Sequence, residues 1–299
     1  MFESFKENRT VVYKPDSLFI LPYKFTQGRA LVFNNRLHIL GGKDFSDNES
    51  LKHYSWDGNT WKNESTLPYS FKCGAAVVYN GKIHIMGSDV DDHRQKHYAW
   101  NGNTWTSVAT LPNTIYHGRA VEWNGKIHAV GFGSSHSINY GHYSFDGTTW
   151  EYVSNVSYTQ QTSSHYYLDL LFQYGSLYIY DNKIYALSIG NGGIPTYWDG
   201  SGTWKNASTG YIYYNASGTA TAVYNSYIYT MGGAGSSNAG SYNICKSIET
   251  TRIQNDDYAL PYAISFTEAV VYKNKLYLVG GGDWTCKSMI DVTTLKTFF

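Results

Sequence analysis

The chain carries ten histidines, and their spacing decides whether they make a metal or catalytic centre or serve a structural role. Six of them share two registers. His38, His84 and His128 sit at the third residue of RLHIL, KIHIM and KIHAV, and His53, His97 and His142 each precede a tyrosine. In later copies the first register holds Tyr185, Tyr229 and Tyr277. A position that alternates histidine with tyrosine reads as a half-buried aromatic slot, not as a ligand shell. His93, His117, His136 and His165 lie outside both registers and are scattered, so no metal centre is expected.

The acidic run Asp89, Asp91 and Asp92, with Asp44 and Asp47 in the preceding copy, groups carboxylates that Ca²⁺ would accept. It lacks the spacing and the glycine of an EF-hand, so a solvated acidic loop is the simpler reading. Arg29, Arg119 and Glu268 stand at the head of one recurring segment, where two guanidinium groups would hold a carboxylate or phosphate. An ion pair between Arg29 and Glu268 in neighbouring copies is the simpler alternative. There is no GxSxG elbow, HExxH pair or phosphate-cradling glycine loop. Cys73, Cys245 and Cys286 are odd in number and lack a CxxC, which disfavours both a disulfide framework and structural zinc. No cofactor is expected, and the chain is read as a non-enzyme.

The elements that position these groups are repeated. Trp61, Trp105 and Trp150 follow one another at spacings of 44 and 45, and Trp204 comes a further 54 along. A fixed period of that size marks an array architecture. Within 67–110, AAVVYN and KIHIMG meet at Asn80-Gly81, a strong hairpin signal. KHYAW then turns at Asn101-Gly102 into TWTSVAT. Four short antiparallel strands cannot bury both faces alone and must stack on copies of themselves.

A strand ending in Gly41-Gly42, Gly232-Gly233 or Gly280-Gly281, then a variable loop, an aromatic strand and a turn tryptophan, resembles the kelch repeat, whose arrays form β-propellers. The resemblance runs over residues 21–299 and is weakest where the glycine pair becomes Gly87-Ser88, Gly131-Phe132 or Ser188-Ile189-Gly190. The expected fold is therefore all-β, a six-bladed kelch-like β-propeller of four-stranded antiparallel blades at about 21–66, 67–110, 111–155, 156–210, 211–259 and 260–299. Blade four carries an insertion, and blade six ends on LKTFF as its fourth strand. Residues 1–20 are either a strand pair added at ring closure or the stub of a preceding blade. FDGTTW is similar to the Asp-box turn of sialidase propellers, but glycine follows aspartate directly, and the turn-forming habit of Asp-Gly accounts for it.

The connections sort by face. The hairpins are tight on one face, while on the other every second-to-third loop differs and the LPY-type blade junctions lie beside them. Binding residues concentrate on loops carried by a rigid scaffold. The candidate ligand contacts are accordingly Asp44 and Phe45 in the first loop, Asp89, Asp91, Asp92, His93 and Arg94 in the second, and Phe132, His136 and Tyr140 in the third. Asp283 and Trp284 complete the set, with Arg29, Arg119 and Glu268 at the channel mouth. Tyr23, Phe25, Tyr69, Phe71, Tyr116 and Tyr262 at the junctions could also stack on sugar rings, against a packing role between blades.

Lys plus Arg and Asp plus Glu both number 23, which gives no electrostatic case for nucleic acid or an anionic membrane. Twenty-nine tyrosines against 15% charged residues suit a surface of neutral hydrogen bonds and stacking contacts. MFESFKENRT is too polar for a signal peptide, and no apolar run approaches the ~20 residues of a membrane helix.

More narrowly, the repeats are similar to kelch-like repeats of bacteriophage tail-associated and Gram-positive bacterial surface proteins. That resemblance implies a recognition module in a phage virion or at a bacterial surface, binding a surface glycan, a receptor or other virion proteins. A protein–protein assembly scaffold is one alternative, and a glycan-acting enzyme with a cross-blade carboxylate site is the other.

Overall fold

The computed structural model describes residues 11–12, 18–43, 50–132, 140–156, 176–187, 195–207, 218–233, 241–248, 251–254, 259–281, 288–294 and 296–297. Each repeat starts from a hairpin whose two central residues have positive φ: Asn34-Asn35, Asn80-Gly81, Asn124-Gly125, Asp181-Asn182, Asn225-Ser226 and Lys273-Asn274. Two successive positive φ values give the turn whose twist matches that of the flanking strands, which explains the prevalence of Asn and Gly there. The third-to-outer turns are also set locally. Asp57 Oδ1 accepts the backbone N–H of Asn59 and Thr60 at 2.8 and 2.9 Å. Asn101 and Asp146 do the same in the next two blades. Aspartate is there as a turn former.

The hairpins build a β-propeller. Its inner strands are Arg29–Phe33, Ala75–Tyr79, Tyr116–Trp123, Ser176–Tyr180, Ala220–Tyr224 and Glu268–Tyr272, and they touch one another in cyclic order, the last meeting the first. Five of the sheets are four-stranded and antiparallel, as expected. The expected count of six four-stranded blades needs correction: five four-stranded blades are present, and the sheet that starts at Ala220–Tyr224 has five strands. Ala259–Ile264, assigned from sequence mostly to the next blade, pairs with Ser241–Ile248. That third strand is eight residues long against four in the first two blades, so it has edge left over for another partner.

The described part of the N-terminal segment joins the last blade at ring closure. Leu18–Ile20 pairs with Ser288–Asp291 and forms the outer strand of the sheet that begins at Glu268. LKTFF is not that strand, because Lys296–Thr297 pairs with Val11–Val12 in a separate two-stranded sheet. The two chain ends are thus tied to each other twice.

Blades are locked together at the glycine pairs. Gly42 N–H donates to Phe71 O at 2.7 Å, Gly233 N–H to Ile264 O at 2.7 Å and Gly281 N–H to Phe25 O at 2.8 Å. In each case the acceptor lies on the junction leading into the following blade. The junction aromatics fill the inter-blade core. Tyr23, Phe25, Tyr69 and Phe71 are buried, and the hydroxyls of Tyr23 and Tyr69 donate to Gly41 O and Gly87 O. This packing removes those four from any sugar-stacking role.

Candidate functional site at the channel mouth

The six inner strands enclose a cavity of about 340 Å³. Its walls are mixed, with aliphatic side chains from Leu31, Val78, Leu177 and Ile179 and hydroxyls from Ser176, Thr219, Thr221 and Thr267. The end nearest the blade junctions is capped by charge. Arg29 Nη1 lies 3.2 Å from Glu268 Oε1 and donates to Gly28 O, while its Nη2 donates to Gly118 O at 3.0 Å. The Arg29 to Glu268 ion pair foreseen between neighbouring blades is therefore present. Arg119 stands farther off, 3.7 Å from the same carboxylate oxygen, and donates to Gly118 O. Burial pushes the Glu268 carboxyl up to about 6, against the pull of Arg29.

Around this cap runs a ring of backbone that local preference does not favour. Gln27, Cys73, His117 and Phe266, each two residues before the inner-strand position of Arg29, Ala75, Arg119 and Glu268, all have φ between 51 and 58°. Gly218 takes the same place in the five-stranded sheet with φ 75°. Inter-blade hydrogen bonds hold the conformation: Cys73 N–H to Gln27 O, Gly118 N–H to Cys73 O and Phe266 N–H to Gly218 O, at 2.8–2.9 Å. Left-handed non-glycine residues cost about 1–3 kcal/mol each, and such strain collects at functional sites. Gln27, Cys73 and Phe266 line a small second cavity with Arg29, Arg119 and Glu268. Burial pushes the Cys73 thiol up to about 12, so it stays protonated and unreactive.

Among the described residues at the capped end, Arg29 Nε, Thr219 Oγ1 and Thr221 Oγ1 are buried without a hydrogen-bond partner. Each such group costs about 1–3 kcal/mol. Beside the cap, Asp89 reaches Lys72 at 3.4 Å and His117 at 3.6 Å. Burial holds His117 down at about 4, with Asp89 opposing.

The remaining loop candidates do not form one cluster. Asp91 pairs with Arg94 at 2.6 Å, and the Arg94 guanidinium lies over the Tyr116 ring. His93 packs against the Tyr69 ring and Asp92 is exposed. Asp89 and Asp91 thus have separate partners. Among the described residues no group of three His, Cys, Asp or Glu side chains is placed to hold a metal ion. Phe132 and Tyr140 end paired strands, while Asp44, Phe45, His136, Asp283 and Trp284 lie outside the described residues.

The two histidine registers are one feature. His38 Nδ1 lies 2.8 Å from His53 Nε2, and the pairs His84–His97 and His128–His142 repeat this at 2.9 Å. All six are buried to 4% exposure or less, which corrects the expected half-buried slot. His38 Nε2 lies 3.2 Å from Phe33 O, which can only accept, so His38 carries its proton there and accepts at Nδ1 from His53. In the second blade Trp150 Nε1 donates to His97 Nδ1 at 3.2 Å, which puts the His97 proton on Nε2. The hydrogen bonds require a neutral imidazole at His38 and, in the second pair, at both His84 and His97. Each pair also packs against the next blade, on Trp100 and Trp105, on Phe145 and Trp150, and on Trp198 and Trp204. The recurring tryptophan is therefore the lid of the preceding blade's histidine pair. A signal was available in the sequence: where the first histidine becomes Tyr229 or Tyr277, the second position holds Ile244 or Met289.

A closed ring of β-sheets around an ion-capped channel defines the protein as a β-propeller. A scan against family models finds no match, and neither does a search of curated proteins. Among solved structures the chain resembles that of YjhT, with a TM-score of 0.67 and 13% sequence identity over 91% of this chain and 95% of that one. At this identity the likeness shows the fold alone.

Proposed function

We propose that the protein is a non-enzymatic recognition module that binds its target across the junction face, over the channel mouth. The observation that carries this reading is the strained ring: residues from four blades hold unfavourable backbone around one opening, on the face where the long loops emerge. A bacterial surface glycan or receptor is the target we favour. The kelch-like character of the repeat and a bacteriophage tail or virion setting rest on the repeat resemblance alone. Against the enzymatic alternative, the charged neighbours of Glu268 are arginines, whereas glycoside hydrolysis uses a second carboxyl about 5–9 Å away.

The test is binding of a multimerised form to bacterial cells and purified cell-wall glycans, since many weak sites are read reliably only with avidity. Asp91→Ala/Asp92→Ala on the junction face should reduce binding several-fold at an unchanged melting temperature. Asn103→Ala on the tight-turn face should bind as the parent does. Equal loss in both variants would overturn the assignment of the face. Stable capture of a protein partner with no glycan signal would favour the assembly scaffold.

A further inference from the structure

We infer that the capped end of the channel is a binding site for a small carboxylate, in which the ligand's carboxyl group takes Arg119 from Glu268. The inference goes beyond the surface reading above and does not depend on it. Arg29 and Arg119 share one carboxylate, so the cap carries one positive charge in excess. Arg29 is committed, through two backbone carbonyls and Glu268. Arg119 is held less: it donates to one backbone carbonyl, Gly118 O, and its carboxylate contact at 3.7 Å is longer than a charge-assisted hydrogen bond. A monoanion matches the excess.

The unpartnered atoms around it give the rest of the recognition. Thr219 is 2% exposed and lines the cavity with its hydroxyl unsatisfied, Thr221 lies beside it, and the Arg29 Nε–H has no acceptor. Val78 stands across the ring from them, on the strand three blades away, and Leu31 and Leu177 line the same cavity. A carboxylate on a short body with a hydroxyl on one side and carbon on the other answers all of these, and L-lactate is the simplest probe.

Glu268 makes the site proton-linked. Its carboxylate competes with the ligand for Arg119 while ionised, and on protonation the competition ends. Of the groups facing it besides Arg29 and Arg119, Cys73 stays a thiol, and His117, which interacts with Arg29, titrates near 4. Glu122, the other acid lining the channel, lies toward the far end of its strand and accepts from Gly125 N–H. With Glu268 titrating near 6, affinity should change by up to about tenfold per pH unit above that value.

The experiment is calorimetric titration of the full chain with L-lactate at pH 7.5 and 6.0, with acetate and inorganic phosphate as comparison probes. Lactate should bind about tenfold more tightly at pH 6.0 and more tightly than phosphate. Glu268→Gln should bind at pH 7.5 as the parent does at 6.0. Arg119→Met keeps the Arg29–Glu268 pair and should lose lactate at both pH values, so it decides the matter if Glu268→Gln fails to fold. Absence of lactate binding at pH 6.0 means the channel holds water only. That result, pH-independent binding, tighter binding of phosphate or full binding by Arg119→Met would each overturn the proposal.

Discussion

The free energy of unfolding, measured by urea titration, should fall steeply as the pH is lowered from about 6.5 toward 4. Burial holds His38, His84 and His128 at about 4 and, together with the partner imidazole, His53, His97 and His142 at about 3. In the unfolded chain each titrates near 6.5. Between those limits the unfolded state takes up protons that the fold refuses. The stability these groups contribute is therefore complete above about pH 6.5 and is lost progressively as pH falls through the window.

Each histidine contributes on the order of 1 kcal/mol per pH unit there. Six of them would consume the roughly 5–15 kcal/mol stability of an ordinary domain within two units. Carboxylates held low by their turns, such as Asp57 at about 2, act only at lower pH. Replacing one pair by the solution of the last blade, His38→Tyr with His53→Met, removes two of six sites and should lower the slope by about a third. An unchanged slope in that variant, or a flat profile in the parent, would show that the pairs are not the source.

Gly41→Ala should destabilise far more than Gly81→Ala, although their backbones are nearly alike at φ 62 and 66°. The left-handed conformation costs any alanine about 1 kcal/mol, and at Gly81 that is all, because nothing lies within 4 Å of an added Cβ. At Gly41 the Cβ would overlap Phe71 O, the carbonyl that Gly42 N–H binds from the next blade. Losing that close approach should bring the total to roughly 3 kcal/mol. Thermal melts should then drop by roughly 6–12 °C for Gly41→Ala and by roughly 2–4 °C for Gly81→Ala. Equal shifts would mean that the glycine at this position serves its φ alone, not an inter-blade contact.

Much of the inner architecture was legible because its causes are local. Asn80-Gly81 and its counterparts set the hairpins, and Asp57, Asn101 and Asp146 close the third-to-outer turns with their own side chains. The period of tryptophans follows from that regularity. The histidine pairs were half legible. Both registers are visible, but 13 to 15 residues separate the partners, and only strand pairing shows that they meet.

By itself, then, the sequence determined a ring of small sheets, the position of its turns and the face on which its loops differ, since each depends on residues close together in the chain. Tertiary structure alone decided which strand closes the ring, where Ala259–Ile264 pairs, and that Gln27, Cys73, His117 and Phe266 take left-handed backbone. No preference of those four side chains demands that conformation. Hydrogen bonds from neighbouring blades impose it, and the same closure brings Arg29, Arg119 and Glu268, up to 239 residues apart, into one charged cap.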